Sequence, residues 1–243
     1  MTVETERVVA VVFDLDGVLV ESEHLWDENW RAYAASRNAP WEAADTARLQ
    51  GMSVPEWSAD LAGRTGDADP VGVAGAVIDG MIGALAGGRI ELLPGSAARV
   101  RVAAQRIPIA VASSAPRRLI EAVLEATGLR PLFSELVSSE EVPRGKPSPD
   151  VYQEAARRLG VDPAGCIAVE DSSNGIRAAV AAGMTVVALP NPTYPPRPDA
   201  LAGCAKIAST PDDVRRYLVE RLATPATAGV ATGPGRPGAE DPG

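Results

Sequence analysis

The chain has 243 residues, 46% of them hydrophobic and 23% charged, and a formal net charge of −9 at pH 7. This balance predicts a globular protein with one domain, or a core domain with a modest insertion. The negative charge argues against nucleic acid and anionic membranes as partners, because both attract a basic surface.

Two further features of the sequence concern location. Cys166 and Cys204 form no CxxC pair, and a single histidine offers no zinc cluster, so we expect two reduced thiols in a cytoplasmic protein. The first ten residues, MTVETERVVA, are acidic ahead of the apolar run, which argues against a signal peptide. No apolar stretch reaches the roughly 18 residues that a membrane helix requires.

Five short apolar runs rich in β-branched residues predict the strands of one sheet. They are residues 8–13, 107–112, 136–137 with their flanks, 166–169 and 185–189. Helical patterns lie between the later runs and each stops at a glycine; they are residues 117–127, 149–159 and 175–182. This alternation predicts an α/β fold, a Rossmann-like, doubly wound parallel sheet with helices on both faces.

The interval after the first strand has no strand signal. It contains four helix-like stretches, at residues 25–35, 43–49, 55–62 and 71–85. We therefore predict a helical cap subdomain over residues 21–88, inserted into a core of residues 1–20 and 89–223. The tail, residues 224–243, is rich in Pro, Gly and Ala without periodicity and is typical of a disordered segment.

Polar side chains follow the predicted strands, at the edge where open parallel sheets bind ligands. They are Asp14 and Asp16 after the first strand, Ser113 and Ser114 after the second, Lys146 after the third, and Glu170 and Asp171 after the fourth. Each group alone has a structural explanation: a turn, a helix cap, a surface lysine or a solvated loop pair. Together, in this order, they favour a site that holds a metal or a phosphoryl group.

The four segments FDLDGVL, VASS, RGKPSPD and VEDSSNGIRAAVAAGM resemble, in this order, the motifs of the haloacid dehalogenase superfamily. The resemblance spans residues 8–189. It is to the branch with a helical cap after the first strand, which includes β-phosphoglucomutase-like phosphatases. It implies a Mg²⁺-dependent phosphatase that acts on a small phosphorylated metabolite, with a sugar phosphate as a candidate.

The same resemblance implies roles for single residues. Asp14 is the nucleophile that forms an aspartyl-phosphate, and Asp16 is the general acid and base. Mg²⁺ is held by Asp14, the main-chain carbonyl of Asp16 and Asp171, with Glu170 near or in its shell. Ser113 and Lys146 are catalytic groups that hold the phosphoryl oxygens. Ser114 and Arg117 complete the substrate-binding set.

Differences between this sequence and the family motifs indicate which of the family's activities it has. Because carbon–halogen cleavage needs no second aspartate, Asp16 argues against a dehalogenase. Sugar phosphomutases of this branch carry a histidine where this chain has Trp26, and the only histidine, His24, lies two residues away. Their cap motif K-G-V-S-R reads QGMSV here, and Ala115 and Pro116 replace polar groups, with Arg117 as a partial substitute. These losses favour a phosphatase over a mutase.

Two alternatives and several questions stay open. A phosphomutase is the alternative enzyme, and a non-catalytic metabolite-binding protein is the alternative outside enzymes, although it should have lost a motif residue. The sequence names no substrate. Of the four tryptophans, all in the predicted cap, we expect most in its core and one, Trp57, as a candidate for a substrate face. His24 is expected at the surface or hinge, and the protein is expected to be a monomer.

Overall fold

The computed structural model describes residues 7–50 and 52–223. Its strands are β1 Ala10–Phe13, β2 Val20–Glu21, β3 Glu91–Leu92, β4 Ile109–Ser113, β5 Glu135–Ser138, β6 Cys166–Glu170, β7 Thr185–Ala188 and β8 Lys206–Ile207. Its helices are α1 Glu23–Ser36, α2 Ala43–Leu49, α3 Val54–Thr65, α4 Pro70–Ala86, α5 Ser96–Ala104, α6 Arg117–Ala126, α7 Asp150–Leu159, α8 Ser173–Ala181, α9 Pro198–Leu201 and α10 Pro211–Ala223.

Six strands form one sheet in the order β5-β4-β1-β6-β7-β8, and every neighbouring pair is parallel. The first strand of the chain therefore lies in the middle, between β4 and β6. Phe13 is in register with Val111 on one side and Val169 on the other. Residues just after β1, β4 and β6 consequently meet at the same edge of the sheet.

Alternate residues of the central strand face opposite layers of core. Val11 and Phe13 belong to the apolar cluster that includes residues of α5, α6 and α10. Ala10 and Val12 belong to the other cluster, with residues of α7 and α8. Because both faces of the sheet are covered, its strands are apolar without alternation, as is expected in a parallel sheet with helices on both sides. The predicted fold class is confirmed.

Helices α1–α4 lie between two short strands. Val20 pairs with Leu92 and Glu21 with Glu91, so that β2 and β3 form an antiparallel pair where the chain leaves the sheet and returns. Helices α1, α3 and α4 pack against one another. We propose that these four helices are the cap subdomain, and the division of the chain at residues 20/21 and 88/89 stays a prediction.

Every predicted element is present, but the structure also has the short strands β2, β3 and β8 and the helices α9 and α10, for which no prediction was made. All five apolar runs contain a strand of the sheet, and each predicted helix is present, within three residues at its ends. The strand β8 has no counterpart among the predictions because it is an exposed edge strand of two residues without an apolar run. Residues 1–6 of the predicted core and the predicted disordered tail, residues 224–243, lie outside the described residues.

The helices were compared with the length and apolar content of a membrane-spanning segment. Within residues 7–50 and 52–223, no single helix has the length and apolar content needed to cross a membrane. Only α3 and α4 taken together reach both, and they are bent by 106° relative to each other.

Candidate active site

Side chains from three neighbouring strands meet at the carboxyl edge of the sheet. Asp14 follows β1, Ser113 ends β4 and Glu170 ends β6. The backbone N–H of Asp14 donates to the carbonyl of Val169 at 3.0 Å, which continues the β1–β6 pairing to the last residue before the site. The rigid centre of the sheet thus holds these groups in place.

Lys146 joins two of these carboxylates. Its Nζ donates to Asp14 Oδ1 and to Glu170 Oε1, both at 2.7 Å, and all three side chains are buried. Burial alone would lower the pKa of Lys146, but the two carboxylates raise it above its ordinary value. Lys146 is therefore a permanently charged ammonium group at the bottom of the site.

Glu170 is held at both carboxylate oxygens. Oε1 also accepts from the Tyr152 hydroxyl at 2.8 Å, while Oε2 accepts from the backbone N–H groups of Asp171 and Ser172, at 2.9 and 3.1 Å. Burial opposes ionisation, but Lys146 and these donors hold the pKa of Glu170 below its ordinary value. A Cβ on Gly175 would overlap this carboxylate, so the start of α8 needs a glycine here.

Three buried carboxylates form an acidic cluster. Oxygens of Asp14, Glu170 and Asp171 lie within 4.8 Å of one another. Burial is the largest cause that raises the pKa of Asp14, to about 7, and that raises the pKa of Asp171 well above its ordinary value. Lys146 supplies only one compensating charge, so ionisation of all three carboxyl groups needs a further cation, and their oxygen ligands suit a divalent one.

Asp16 lies beside the cluster but its side chain is not among those three ligands. Its carboxylate accepts a hydrogen bond from the hydroxyl of Ser22, which precedes α1, and one from the Trp26 side chain. Burial raises the pKa of Asp16, and these two donors oppose the rise. The predicted metal contact of Asp16 through its main-chain carbonyl stays a prediction.

Gly17 allows the close approach between the Asp16 loop and Asp171. Its φ of +74° lies in the left-handed region, and a Cβ there would overlap the Asp171 carboxylate. The glycine of the DLDG segment is thus required for two reasons, the turn and the space.

Ser113 and Ser114 line the same cleft as Lys146, and the Ser113 hydroxyl accepts from the backbone N–H of Ala115 at 3.0 Å; their contact with phosphoryl oxygens stays a prediction. Arg117 is not brought there. Its guanidinium donates to Glu121 Oε1 at 2.9 Å and to the carbonyl of Leu136 at 2.8 Å, away from the cleft lining. The expected binding of substrate by Arg117 therefore has no support in the structure.

The cleft over these groups has a volume of about 270 Å³. Its lining on the side of the sheet includes four arginine or asparagine side chains that were not predicted: Asn174, Arg177, Asn191 and Arg197. Arg177 had a signal, since it lies in the segment VEDSSNGIRAAV, whereas Arg197 lies in a proline-rich loop that carries none. Glu23, in the first turn of α1, also lines the cleft without having been predicted.

Three of the four tryptophans, Trp26, Trp30 and Trp57, line the cleft. The fourth, Trp41, donates to the Thr46 hydroxyl at 3.0 Å and stacks under Arg64, outside the lining. His24 is exposed, 3.8 Å from Glu21, and is not part of the lining either. Trp57 therefore borders the cleft, as suggested from the sequence, but Trp26 and Trp30 border it as well, where only one tryptophan was expected.

The sequence profile of the haloacid dehalogenase-like hydrolases matches residues 8–183. The chain belongs to the haloacid dehalogenase-like hydrolases. The four motifs that carry the resemblance lie in the matched range except for their last residue, Met184, and Asp14, Ser113, Lys146 and Asp171 from these motifs line the cleft. For this hydrolase, the predicted superfamily is confirmed.

Known members of the family are similar over most of their length. The hydrolase is 34% identical to hexitol phosphatase B of Escherichia coli over 212 residues, 84% of this chain and 93% of the relative. It is 31% identical to the Escherichia coli fructose-1-phosphate phosphatase YqaB over 185 residues, 75% of this chain and 96% of the relative.

A solved structure of a putative β-phosphoglucomutase from Thermotoga maritima superposes with a TM-score of 0.66 at 28% identity. The match covers 87% of this chain and 99% of that one. The hydrolase therefore lies in the β-phosphoglucomutase-like branch. The family match and the two phosphatases confirm its predicted class, a hydrolase of phosphoric monoesters.

Proposed function

We propose that this hydrolase is a Mg²⁺-dependent phosphatase of a small phosphorylated metabolite, a sugar phosphate or sugar-alcohol phosphate, that acts through an aspartyl-phosphate intermediate. One observation carries the proposal: Asp14 lies between the ammonium group of Lys146 and a cluster of carboxylates at the bottom of a cleft. A nucleophilic carboxylate beside fixed charges is what in-line phosphoryl transfer requires.

The nucleophile is Asp14. Its carboxylate attacks phosphorus and the ester oxygen leaves, while Asp16 donates a proton to that oxygen. Asp16 then takes a proton from the water that cleaves the aspartyl-phosphate. The hydrogen bonds from Ser22 and Trp26 support this role because they keep the Asp16 carboxyl in one orientation next to the cleft.

Lys146, Ser113 and Ser114 are the groups we assign to the phosphoryl oxygens. Lys146 offers charge, and the hydroxyls of Ser113 and Ser114 offer donors that need no further charge. Glu170 and Tyr152 hold Lys146 in place from behind. Arg117 is left out of this assignment, since its guanidinium is engaged with Glu121 and Leu136.

Mg²⁺ is the cation we propose for the acidic cluster. Asp14 and Asp171 would hold it, with Glu170 beside them and the main chain of Asp16 as a further ligand. When bound, the ion neutralises charge, so that a phosphate dianion can approach several carboxylates. The oxygen-only ligand set favours Mg²⁺ over metals that prefer imidazole or thiolate.

The relatives support the substrate class. Hexitol phosphatase B and fructose-1-phosphate phosphatase both act, by name, on phosphorylated small polyols or sugars. A phosphomutase remains the alternative activity, and the similarity to a putative β-phosphoglucomutase speaks for it. Trp26 at the histidine position of the mutases speaks against it. A cytoplasmic location and a monomeric state stay predictions.

The test is phosphate release from a panel of phosphomonoesters, with Mg²⁺ and with EDTA. We expect release that requires the metal and that disappears in Asp14→Asn, a variant whose circular dichroism and thermal unfolding should match the parent. Full activity of Asp14→Asn would exclude this nucleophile. Release of no phosphate, but isomerisation of a sugar monophosphate primed by a bisphosphate, would establish the mutase instead.

A further inference from the structure

The two walls of the cleft differ in charge. The wall from the sheet carries the cations Lys146, Arg177 and Arg197. Among the described residues that line the cleft, the wall from α1–α3 and the segment between α2 and α3 carries no cation. Its members are Glu23, Trp26, Trp30, Leu49, Gln50, Met52 and Trp57.

The ring cluster Trp26–Trp30–Trp57 forms the centre of the second wall. Each pair of rings has a centroid separation of 5.9 or 6.0 Å, so the three pack as one unit. All three are almost fully buried by protein and still border the cleft. Aromatic faces are electron-rich and attract C–H groups and cations, whereas they repel anions.

Two donors on this wall have no partner. Trp30 Nε1 and Gln50 Nε2 are buried, and neither makes a hydrogen bond. An unsatisfied buried donor costs about 1–3 kcal/mol, so both donors would be stabilised by an acceptor that reaches them. A hydroxyl oxygen of a bound alcohol would give them an acceptor.

Glu23 makes the same wall negative or neutral, never positive. Burial is the main cause that raises its pKa to about 8, and the carboxylates of Asp16 and Asp14 add to the rise. Because burial is the largest cause, a second anion in the same place would meet the same cost of losing its hydration. A hydroxyl group, in contrast, can exchange a hydrogen bond with Glu23 in either protonation state.

The arginines on the opposite wall are partly compensated. Arg177 donates to Asp199 Oδ2 at 2.6 Å, and Arg197 lies two residues from the same carboxylate on an exposed loop. They belong to the wall from the sheet, so they give the wall from α1–α3 no positive charge.

We propose that Trp26, Trp30, Trp57, Gln50 and Glu23 select phosphomonoesters whose alcohol is uncharged and hydroxylated, and disfavour esters whose alcohol part carries a second anionic group. The inference rests on the proposed phosphatase function. It goes further by stating what these residues accept and reject, which neither the acidic cluster nor the phosphoryl-binding groups determine.

The test compares esters that differ only in this charge. Glycerol 3-phosphate and 3-phosphoglycerate share three carbons and differ in an alcohol or a carboxylate, as do sorbitol 6-phosphate and 6-phosphogluconate with six. We expect kcat/KM to be at least about tenfold higher for the alcohol of each pair, because a desolvated anion without a partner is strongly disfavoured. p-Nitrophenyl phosphate reports the hydrolytic activity independently.

Variants assign the selection to the wall. Glu23→Gln should narrow the alcohol-to-carboxylate ratio about threefold or more by raising kcat/KM for the carboxylates. Trp30→Phe keeps the ring but removes the donor, and should lower kcat/KM for the alcohols by about threefold or more. Glu28→Gln, on an exposed residue of α1 that pairs with Arg89, and Trp41→Phe, outside the cleft, should change neither.

The outcomes separate this inference from the function on which it rests. Equal kcat/KM values, a preference for the carboxylates, or hydrolysis of p-nitrophenyl phosphate without either alcohol ester would overturn the selection and leave the phosphatase standing. Unchanged ratios in both Glu23→Gln and Trp30→Phe would overturn the assignment to this wall. Absence of release from every ester would overturn the phosphatase function and the selection together.

Discussion

Ser53 of the helical insertion touches Gly145, the residue before Lys146. A Cβ built on Gly145 would lie 2.8 Å from Ser53 Cβ, closer than such atoms approach in proteins. Ser53 precedes α3, where its backbone N–H and hydroxyl both donate to Glu56. The loop that carries Lys146 therefore accepts the start of α3 only because residue 145 has no side chain.

This contact predicts the effect of Gly145→Ala. Overpacking of one methyl group costs about 1–3 kcal/mol, so the arrangement in which Ser53 packs against residue 145 becomes less populated. We expect kcat/KM to fall by about 5- to 100-fold, with thermal unfolding little changed. The measurement is steady-state kinetics with the best ester of the panel.

Two controls isolate the clash. Gly75→Ala, in α4 with open space around its Cβ, should leave kcat/KM unchanged and stabilise the helix by about 0.5–1 kcal/mol. Ser53→Gly combined with Gly145→Ala removes the opposing Cβ and should restore most of the activity. If kcat/KM of this double variant stays as low as that of Gly145→Ala, the loss of activity does not come from the clash with Ser53.

Tyr152→Phe tests the support behind Lys146. It removes the hydroxyl that donates to Glu170 Oε1 and leaves a buried carboxylate with one donor fewer. We expect a loss of about 1–3 kcal/mol in the free energy of unfolding and a lower kcat, because Lys146 is held less firmly. Urea denaturation and kinetics measure the two effects.

Tyr33→Phe is the matched control. Its hydroxyl also donates to a carboxylate, that of Asp67 at 2.7 Å, but the pair is half-buried and Arg37 binds the same oxygen. The loss of stability should therefore stay below about 1 kcal/mol. If Tyr152→Phe and Tyr33→Phe lower the free energy of unfolding equally, the burial of Glu170 does not strengthen its hydrogen bond from Tyr152.

Asp171→Asn tests the acidic cluster as a metal site. Without metal, the variant should be at least as stable as the parent, since a neutral amide replaces a carboxyl group whose ionisation is opposed by burial and by the neighbouring carboxylates. It should lose most of the rise in Tm that Mg²⁺ gives the parent, because ligand-dependent stabilisation follows affinity. Differential scanning fluorimetry with Mg²⁺ and with EDTA measures both.

Asp79→Asn controls for the loss of a carboxylate elsewhere. Asp79 is exposed, pairs with Arg118 and is not part of the acidic cluster. The Mg²⁺-dependent rise in Tm of Asp79→Asn should therefore equal that of the parent. If Asp171→Asn keeps the full rise, the cation binds somewhere other than the cluster.

Glu23 predicts a pH dependence of the metal-free protein. Its pKa rises from 4.5 to about 8 on folding, so the folded state binds the proton more tightly than the unfolded chain. The stability that this proton contributes is fully present below about pH 4.5 and is lost as the pH rises through about 8. In EDTA, Tm of the parent should fall over this range.

Glu23→Gln should flatten that fall, because the amide does not titrate. Glu28→Gln should not, since Glu28 is exposed and the hydrogen bond from Arg89 lowers its pKa. Identical Tm profiles for the parent and Glu23→Gln between pH 5 and pH 8.5 would contradict the raised pKa of Glu23.

Arg117 and Arg177 show where sequence reasoning on the site stops. Arg117 follows a motif and begins a helix, whereas Arg177 lies within a motif and within a helix, and only Arg117 was expected to bind substrate. In the structure the (i, i+4) partner Glu121 and the carbonyl of Leu136 hold Arg117, whereas Arg177 lines the cleft. The direction of a long side chain depends on which acceptors the fold brings near it, and no local pattern contains that information.

The sequence by itself determined the parallel α/β fold and the meeting of Asp14, Ser113, Lys146, Glu170 and Asp171. Apolar runs specify buried strands, and groups that follow such strands must share one edge of the sheet. Only the tertiary structure decided the second wall of the cleft, formed by Glu23, Gln50 and three tryptophans. Residues of separate helices meet there through packing, whose geometry depends on contacts distant in sequence.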